Sequence, residues 1–243
     1  VLQKGRAQHA AKDAFLPSLN KQTLLNKEII SAAIPSLHLN DPVAQALDLM
    51  ADFHVTHLPV VVEDKLAGLV SEDDLLNVED DSILLSQLQA RFSRIAAHAD
   101  AFFYEAVQLV NENGLTLIPV IAGEAEYTGS IIATDLLKQL GRVAGVNEPG
   151  GIIVLEMEKV SFAFAEISKL VETNDAQIIQ LNTVADAASG NFLVTLRINK
   201  AEVSDVVATF QRYEYQVKYY FGEELYENEL RSNYDHLMNY LNI

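Results

Sequence analysis

The sequence contains no cysteine and no tryptophan. Without cysteine there is no disulfide, no thiolate nucleophile and no Cys-ligated metal, a composition that suits a reducing compartment. Basic residues are scarce: 17 Lys and Arg stand against 34 Asp and Glu, a formal net charge of −17. Polyanionic backbones and anionic membrane surfaces reward a basic face, so neither nucleic acid nor membrane is an expected partner. No apolar run reaches the roughly 18 residues of a membrane span. The first residues also lack the apolar stretch of about 7–15 residues that marks a secretory signal. A cytoplasmic location is the expectation. The sequence holds no G-x-x-x-x-G-K-S/T loop, no G-x-S-x-G elbow and no H-E-x-x-H pair. No nucleophile is marked with its base, and no enzyme activity is expected.

What is present is a repeat. Pro59–Leu76 reads PVVVEDKLAGLVSEDDLL and returns sixty positions later at Pro119–Leu137 as PVIAGEAEYTGSIIATDLL. Each copy has an apolar strand opened by Pro, a charged turn, a second strand containing Gly, and a helix starting around an Asp. Such a period means one supersecondary unit used twice. Helical patterns precede both copies, at Val43–Phe53 and Phe102–Asn113. In the first, Asn40 or Asp41 is placed to cap and Pro42 suits the first turn. In the second, Asp100 is placed to open the helix, and Gly114 stands where its C-terminus needs a left-handed residue. Ser71 is placed to cap the helix after the first hairpin. Residues 77–82 read as an acidic turn, and 83–88 as a short helix.

Asn147–Gly151, NEPGG, breaks both helix and strand and marks a boundary. After it the pattern reads strand 152–157, a helix stripe of Phe164, Ile167, Leu170 and Val171, and strands 177–184 and 192–198. A second stripe, Val203, Val206, Val207 and Phe210, precedes a strand at 215–221. The order β-α-β-β-α-β is the ferredoxin-like split. The fold class is therefore α+β. The expected parts are a weakly patterned leader (1–27), the first repeat (28–82), the second (83–146), a linker (147–151), the ferredoxin-like part (152–222) and a C-terminal helix (223–243). Leu230, Tyr234, Leu237 and Leu241 would line one face of that last helix.

The repeat resembles a tandem pair of CBS domains, whose pattern includes Gly-apolar-apolar-Ser/Thr-x-x-Asp. Gly68-Leu69-Val70-Ser71-Glu72-Asp73-Asp74 fits it fully. The second copy, Gly129-Ser130-Ile131-Ile132-Ala133-Thr134-Asp135, keeps the Gly and the Asp but has Ile132 where the hydroxyl should be. Residues 27–34 resemble the short first helix and first strand of such a domain. The ferredoxin-like part resembles an ACT domain, with Phe162 after Ser161 where effector-binding ACT domains carry a glycine. That points to side-by-side dimerisation rather than amino-acid binding. The order of the parts is similar to that in CBS proteins of the acetoin-utilisation B type.

The CBS resemblance implies a regulatory protein whose paired repeats sense an adenosyl ligand. Ser71 would contact phosphate or ribose, and Asp74 and Asp135 would accept from the ribose hydroxyls, with Thr134 a partial stand-in for the missing hydroxyl. Walls for the base would come from Ile34, Pro35, Leu58, Pro59, Ile118 and Pro119, with His57 as a further base contact. Arg91 and Arg94 are the candidate phosphate bases; a surface ion pair is their alternative. Ser71 and Asp74 equally suit a bare helix cap. Residues 29–140 hold four Lys/Arg and seventeen Asp/Glu. A triphosphate would be repelled there unless Mg²⁺ or a local base intervened, so AMP, an adenosine derivative or S-adenosylmethionine is favoured over ATP with Mg²⁺. No cofactor is required and no metal is expected: His54 and His57 lie where a helix gives way to a strand, and Glu79-Asp80-Asp81 reads as solvated surface. A homodimer acting on an unknown protein target is the expected assembly. The alternative is a dimeric scaffold with degenerate clefts.

Overall fold

The computed structural model describes residues 24–31, 33–187 and 189–222; most of the expected leader and the whole C-terminal helix lie outside these residues. Two compact units divide between Leu140 and Gly141.

In the first unit, α1 (Val43–Phe53) precedes the hairpin β1 (His57–Val62) and β2 (Lys65–Ser71), and α2 (Glu72–Leu76) follows. After the two-residue β3 (Ala97–His98), the pattern repeats as α3 (Tyr104–Asn113), β4 (Leu117–Ala122), β5 (Glu126–Ile132) and α4 (Ala133–Val143). Five strands form one sheet in the order β1-β2-β5-β4-β3. The hairpins meet at their turn ends, where Lys65 pairs with Glu126. Glu63 and Asp64 both take positive φ, 49° and 64°, as a two-residue hairpin turn twisting with its strands demands. Gly114 ends α3 at φ 62°, and His54 takes the same left-handed position after α1.

Asp41 does not cap α1. Its Oδ2 accepts from His38 N at 2.8 Å, and no side chain caps this helix. The free N–H groups of Val43 and Ala44 donate instead to the carbonyls of Ile83 and Asp81, at 3.0 and 2.9 Å. The acidic spacer thereby supplies the acceptors that every helix start needs. Asp100 does not open α3 either; it pairs with Lys27 at 2.6 Å.

The stretch leading into the first repeat is placed differently from expectation. Residues 26–28 form a 3₁₀ turn, and the strand contact with the first repeat comes later, where Leu37 bridges Val60 in parallel. Residues 26–31 bond to the second repeat: Asn26 N to Ala101 O, Lys27 N to Ala99 O and Ser31 N to Ser130 O, at 2.8–3.0 Å. Asn26 is fully buried and donates from Nδ2 to His98 O and Glu105 Oε2. Residues 85–93 do the reverse. Ser93 exchanges backbone bonds with Leu69 of β2, at 2.7 and 2.9 Å. Each repeat is thus edged by the segment that precedes the other. Gly68 makes the close approach possible, since a Cβ there would lie 2.6 Å from Phe92 Cβ.

The second unit runs β6 (Gly151–Met157), α5 (Phe164–Glu172), β7 (Ile178–Ala185), β8 (Phe192–Ile198), α6 (Ser204–Arg212) and β9 (Gln216–Phe221). Its antiparallel sheet has the order β7-β8-β6-β9. With β6 as the first strand this is the split β-α-β arrangement expected from the sequence. Alternate residues Ile153, Leu155 and Met157 of β6 and Val194, Leu196 and Ile198 of β8 are buried with Ile167, Val171, Val206 and Phe210 of the helices. Both units are mixed α and β.

Candidate functional site

Ser71, Asp74 and Arg91, three of the residues expected to form a site, meet where β2 runs into α2. Ser71 is the N-cap of α2 and accepts from Asp74 N at 3.2 Å, while its hydroxyl donates to Asp74 Oδ2 at 2.6 Å. Asp74 Oδ1 has no protein partner among the described residues. Arg91 donates from Nη1 to Asp74 O at 3.0 Å, so the 85–91 segment brings a guanidinium to this junction. Glu72, Asp73 and Asp74 fill the first turn of the helix, which has five residues. A short helix fronted by three carboxylates is a poor anion site by itself, and Arg91 is the nearby positive charge. Arg94 is exposed and makes no ion pair among the described residues.

His57 lies across the hairpin from Ser71, as its Cα partner. Its Nδ1 stands 3.0 Å from Thr56 Oγ1 and 3.3 Å from Thr116 Oγ1. Thr56 N also donates to Thr116 Oγ1 at 2.9 Å, so the corresponding threonines of the two repeats touch. Burial pushes the His57 imidazole below its usual range, and the carboxylates of Asp73 and Asp74 oppose this. A histidine with a depressed folded pKa contributes stability that is present above its unfolded pKa and is lost as pH falls through the folded value. Replacing His57 with Gln should therefore flatten part of the acid-side fall in stability. Urea titrations of both proteins between pH 8 and pH 5 should show the difference between them changing over that interval.

In the second repeat the carboxylate is occupied on both oxygens. Ser31 Oγ donates to Asp135 Oδ2 at 2.6 Å, and Lys138 Nζ donates to Oδ1 at 2.9 Å. These two bonds, Ser31's first, hold the Asp135 carboxyl below its ordinary range. Ile132 is half-buried against the core, and Thr134 is exposed, with no hydrogen bond among the described residues. Ser31 was not among the residues singled out from the sequence. It precedes the repeats in a weakly patterned stretch, and nothing local ties it to position 135.

The expected walls divide into two groups. Ile34 and Pro35 are partly exposed beside the first repeat. Leu58 and Ile118 have no accessible surface, and Pro59 and Pro119 are buried. These four belong to the core, because β1 and β4 are covered on both faces; they back the wall and do not form its surface. Among the described residues no group of three or more His, Asp or Glu is placed to hold a metal ion.

The second unit has a cleft of about 600 Å³ where β6 turns into α5. Glu156, Glu158, Glu166 and Glu214 line it with Tyr213 and Tyr215, and none of its lining residues is Lys or Arg. Burial, and after it the Glu166 carboxylate, push the Tyr215 phenol up. Phe162, expected from the sequence where effector-binding ACT domains carry a glycine, is half-buried with its ring edge-on to Phe192 at 6.0 Å. Four carboxylates would repel the α-carboxylate of an amino acid.

Comparison with known proteins gives a family for the first repeat, since the CBS domain model matches residues 27–81. The first repeat is a CBS domain. The inosine-5'-monophosphate dehydrogenase of Methanocaldococcus jannaschii is 26% identical over 113 residues, 46% of this chain and 23% of the enzyme. That of Thermoplasma acidophilum is 26% identical over 189 residues, 77% of this chain and 38% of the enzyme. The chain thus spans well under half of the curated relatives it matches. Among solved structures, a CBS domain pair/ACT domain protein from Thermotoga maritima aligns over 49% of this chain and 98% of its own, with 20% identity and a TM-score of 0.44. A putative acetoin utilization protein from Vibrio cholerae aligns over 51% and 96%, with 17% identity and a TM-score of 0.43. CBSX2, solved in complex with AMP, aligns over 50% and 98%, with 18% identity and a TM-score of 0.41. Among the described residues no helix is long and apolar enough to cross a membrane.

Proposed function

We propose that this protein is a non-enzymatic regulator that senses an adenosyl ligand of low charge through its two repeats, the second acting as a partner CBS domain. The observation that carries the reading is the hydroxyl–carboxylate pair of Ser71 and Asp74 within the matched CBS domain. One carboxylate oxygen holds Ser71, and the other is open to accept from the 2′ and 3′ hydroxyls of a ribose. Arg91, fixed on the Asp74 carbonyl, is the candidate partner for a single phosphate. The three acids of the α2 first turn and the four-to-seventeen imbalance of residues 29–140 weigh against a free triphosphate. AMP, an adenosine derivative or S-adenosylmethionine fits this field.

The proposed output is mechanical. A ligand held between repeats that already touch through Thr56 and Thr116 favours one relative arrangement of them. It can do so only by as much as its affinity differs between the two arrangements. The ferredoxin-like unit is the proposed ACT-like dimerisation element, with a protein target receiving the signal in the cytoplasm.

Calorimetric titration of the full chain with AMP, S-adenosylmethionine and ATP, each with and without Mg²⁺, tests the reading. Micromolar binding of AMP or S-adenosylmethionine, with ATP weaker unless Mg²⁺ is present, is the expected result. Silence from all of them would replace the sensor with a scaffold whose clefts are degenerate.

A further inference from the structure

The sheet of the second unit has two unlike faces. Ile153, Leu155 and Met157 of β6 point toward α5 and α6 and are buried with them. The residues between them point the other way. Ile152 pairs with Phe221 of β9 and Val154 with Tyr219, so these four side chains form one apolar block on the face opposite the helices. None of the four belongs to the core of the unit. Tyr219 is 55% and Phe221 58% exposed, and Ile152 and Val154 are half-buried. The β8–β7 half of the same face is more polar: Thr195 and Arg197 stand beside Val154 and Ile152, with Asn182 and Gln180 beyond them.

The block is two strands wide, and one of those strands, β9, leads directly into residues 223–243, which lie outside the described residues. In a helix, Leu230, Tyr234, Leu237 and Leu241 would share one face and Asn239 would stand opposite. From Leu230 to Leu241 such a helix advances about 16 Å. The six residues of β9 extend about 20 Å. A helix is about 10 Å across and neighbouring strands are about 4.8 Å apart, so one helix covers two strands. Residues 223–229 are long enough to reverse the chain over the sheet, and four of them are Glu223, Glu224, Glu227 and Glu229. Arg197 stands in the same row as Phe221, at the end where the chain leaves the sheet, and complements that acidic stretch.

We propose that the Ile152–Val154–Tyr219–Phe221 block is a docking surface for residues 223–243 of the same chain, which lie on it as a helix with Leu230, Tyr234, Leu237 and Leu241 facing the sheet. A second copy of the chain is the weaker occupant on two counts. Four side chains fall short of the roughly 800 Å² per partner of a stable interface, and a flat partner sheet would also have to cover the polar β8–β7 half. The chain's own segment, tethered by a few residues, meets the face at an effective concentration in the mM range. Docking shields an edge strand whose exposed aromatic side chains would otherwise invite association. Dimerisation of this unit is then left to surfaces other than the β6–β9 face.

The sequence has no tryptophan, so Tyr219→Trp in the full chain gives a single fluorescent reporter on the face. Its emission should be blue-shifted, as for a buried indole, and should not change on dilution. Adding Leu237→Asp, which puts a charge in the stripe, should shift the emission to the red and make the indole accessible to acrylamide. Leu241→Asp, at the far end of the stripe, should do the same. Asn239→Asp, on the opposite side of the helix, should change nothing. A cooperative thermal transition retained in the stripe variants separates undocking from unfolding. Red emission in the parent reporter would mean that the face is open and would overturn the proposal. Blue emission that survives both stripe substitutions would mean that something else covers the face, and blue emission lost on dilution would mean that a second copy does. Either result overturns the proposal as well.

Discussion

Replacing Asp74 with Ala should weaken AMP binding at the first CBS domain by about ten- to a hundredfold. The carboxylate is the proposed acceptor for both ribose hydroxyls, and hydrogen bonds to a charged group contribute about 1.5–3 kcal/mol. The fold should tolerate the change. Asp74 is partly exposed, and the cap of α2 is made by its backbone N–H to Ser71 Oγ, which Ala retains. Asp74→Asn, which keeps the shape but not the charge, should fall between. The charge argument supplies an opposing outcome. Removing one of three acids from the α2 first turn relieves repulsion on a phosphate. If AMP bound Asp74→Ala more tightly than wild type, the carboxylate would be a helix-start residue and not a ribose acceptor. Calorimetry on the three proteins decides between these results.

The largest stability effect is expected at Phe210. Its side chain has no accessible surface, and its ring packs on Tyr215 at 5.5 Å in an edge-on geometry. Truncation of a buried Phe to Ala costs about 3–5 kcal/mol in transfer energy and cavity, against about 5–15 kcal/mol for a whole domain. Phe210→Ala should therefore shift the unfolding of the second unit by a large fraction of its total stability. The two buried cores share no residue: one ends at Leu136, and the other begins at Ile153. Adenosyl-ligand binding should then survive the substitution at temperatures where the second unit has melted. A loss of ligand affinity in step with that melting, followed by calorimetry and near-ultraviolet circular dichroism, would mean that the units fold as one.

The ordering of elements was legible because its signals are local. Hydrophobic alternation put β8 at residues 192–198, where it is, and the Ser71 cap and the Gly114 left-handed turn depend on residues within one helical turn. The self-similar period gave the repeat, and the β-α-β-β-α-β order gave the second sheet. Helix starts were less legible. Asp41 has the chemistry of a cap, but the carbonyls of Asp81 and Ile83 reach the free N–H groups of α1 first. Only a chain folded back across about forty residues can supply them.

The sequence by itself determined two copies of a strand–turn–strand–helix unit, their carboxylates at Asp74 and Asp135, an acidic field around them and a separate ferredoxin-like unit. Periodicity and capping act over a few residues and leave their record in composition. Only the tertiary structure decided which segment edges which repeat, that Leu58 and Ile118 lie inside the core, that Arg91 reaches the Asp74 carbonyl, and that the Ser31 hydroxyl bonds to Asp135. Those outcomes depend on pairings between short stretches far apart in the chain. Their energy comes from shared burial and backbone bonds across the sheet, so no single stretch records its partner.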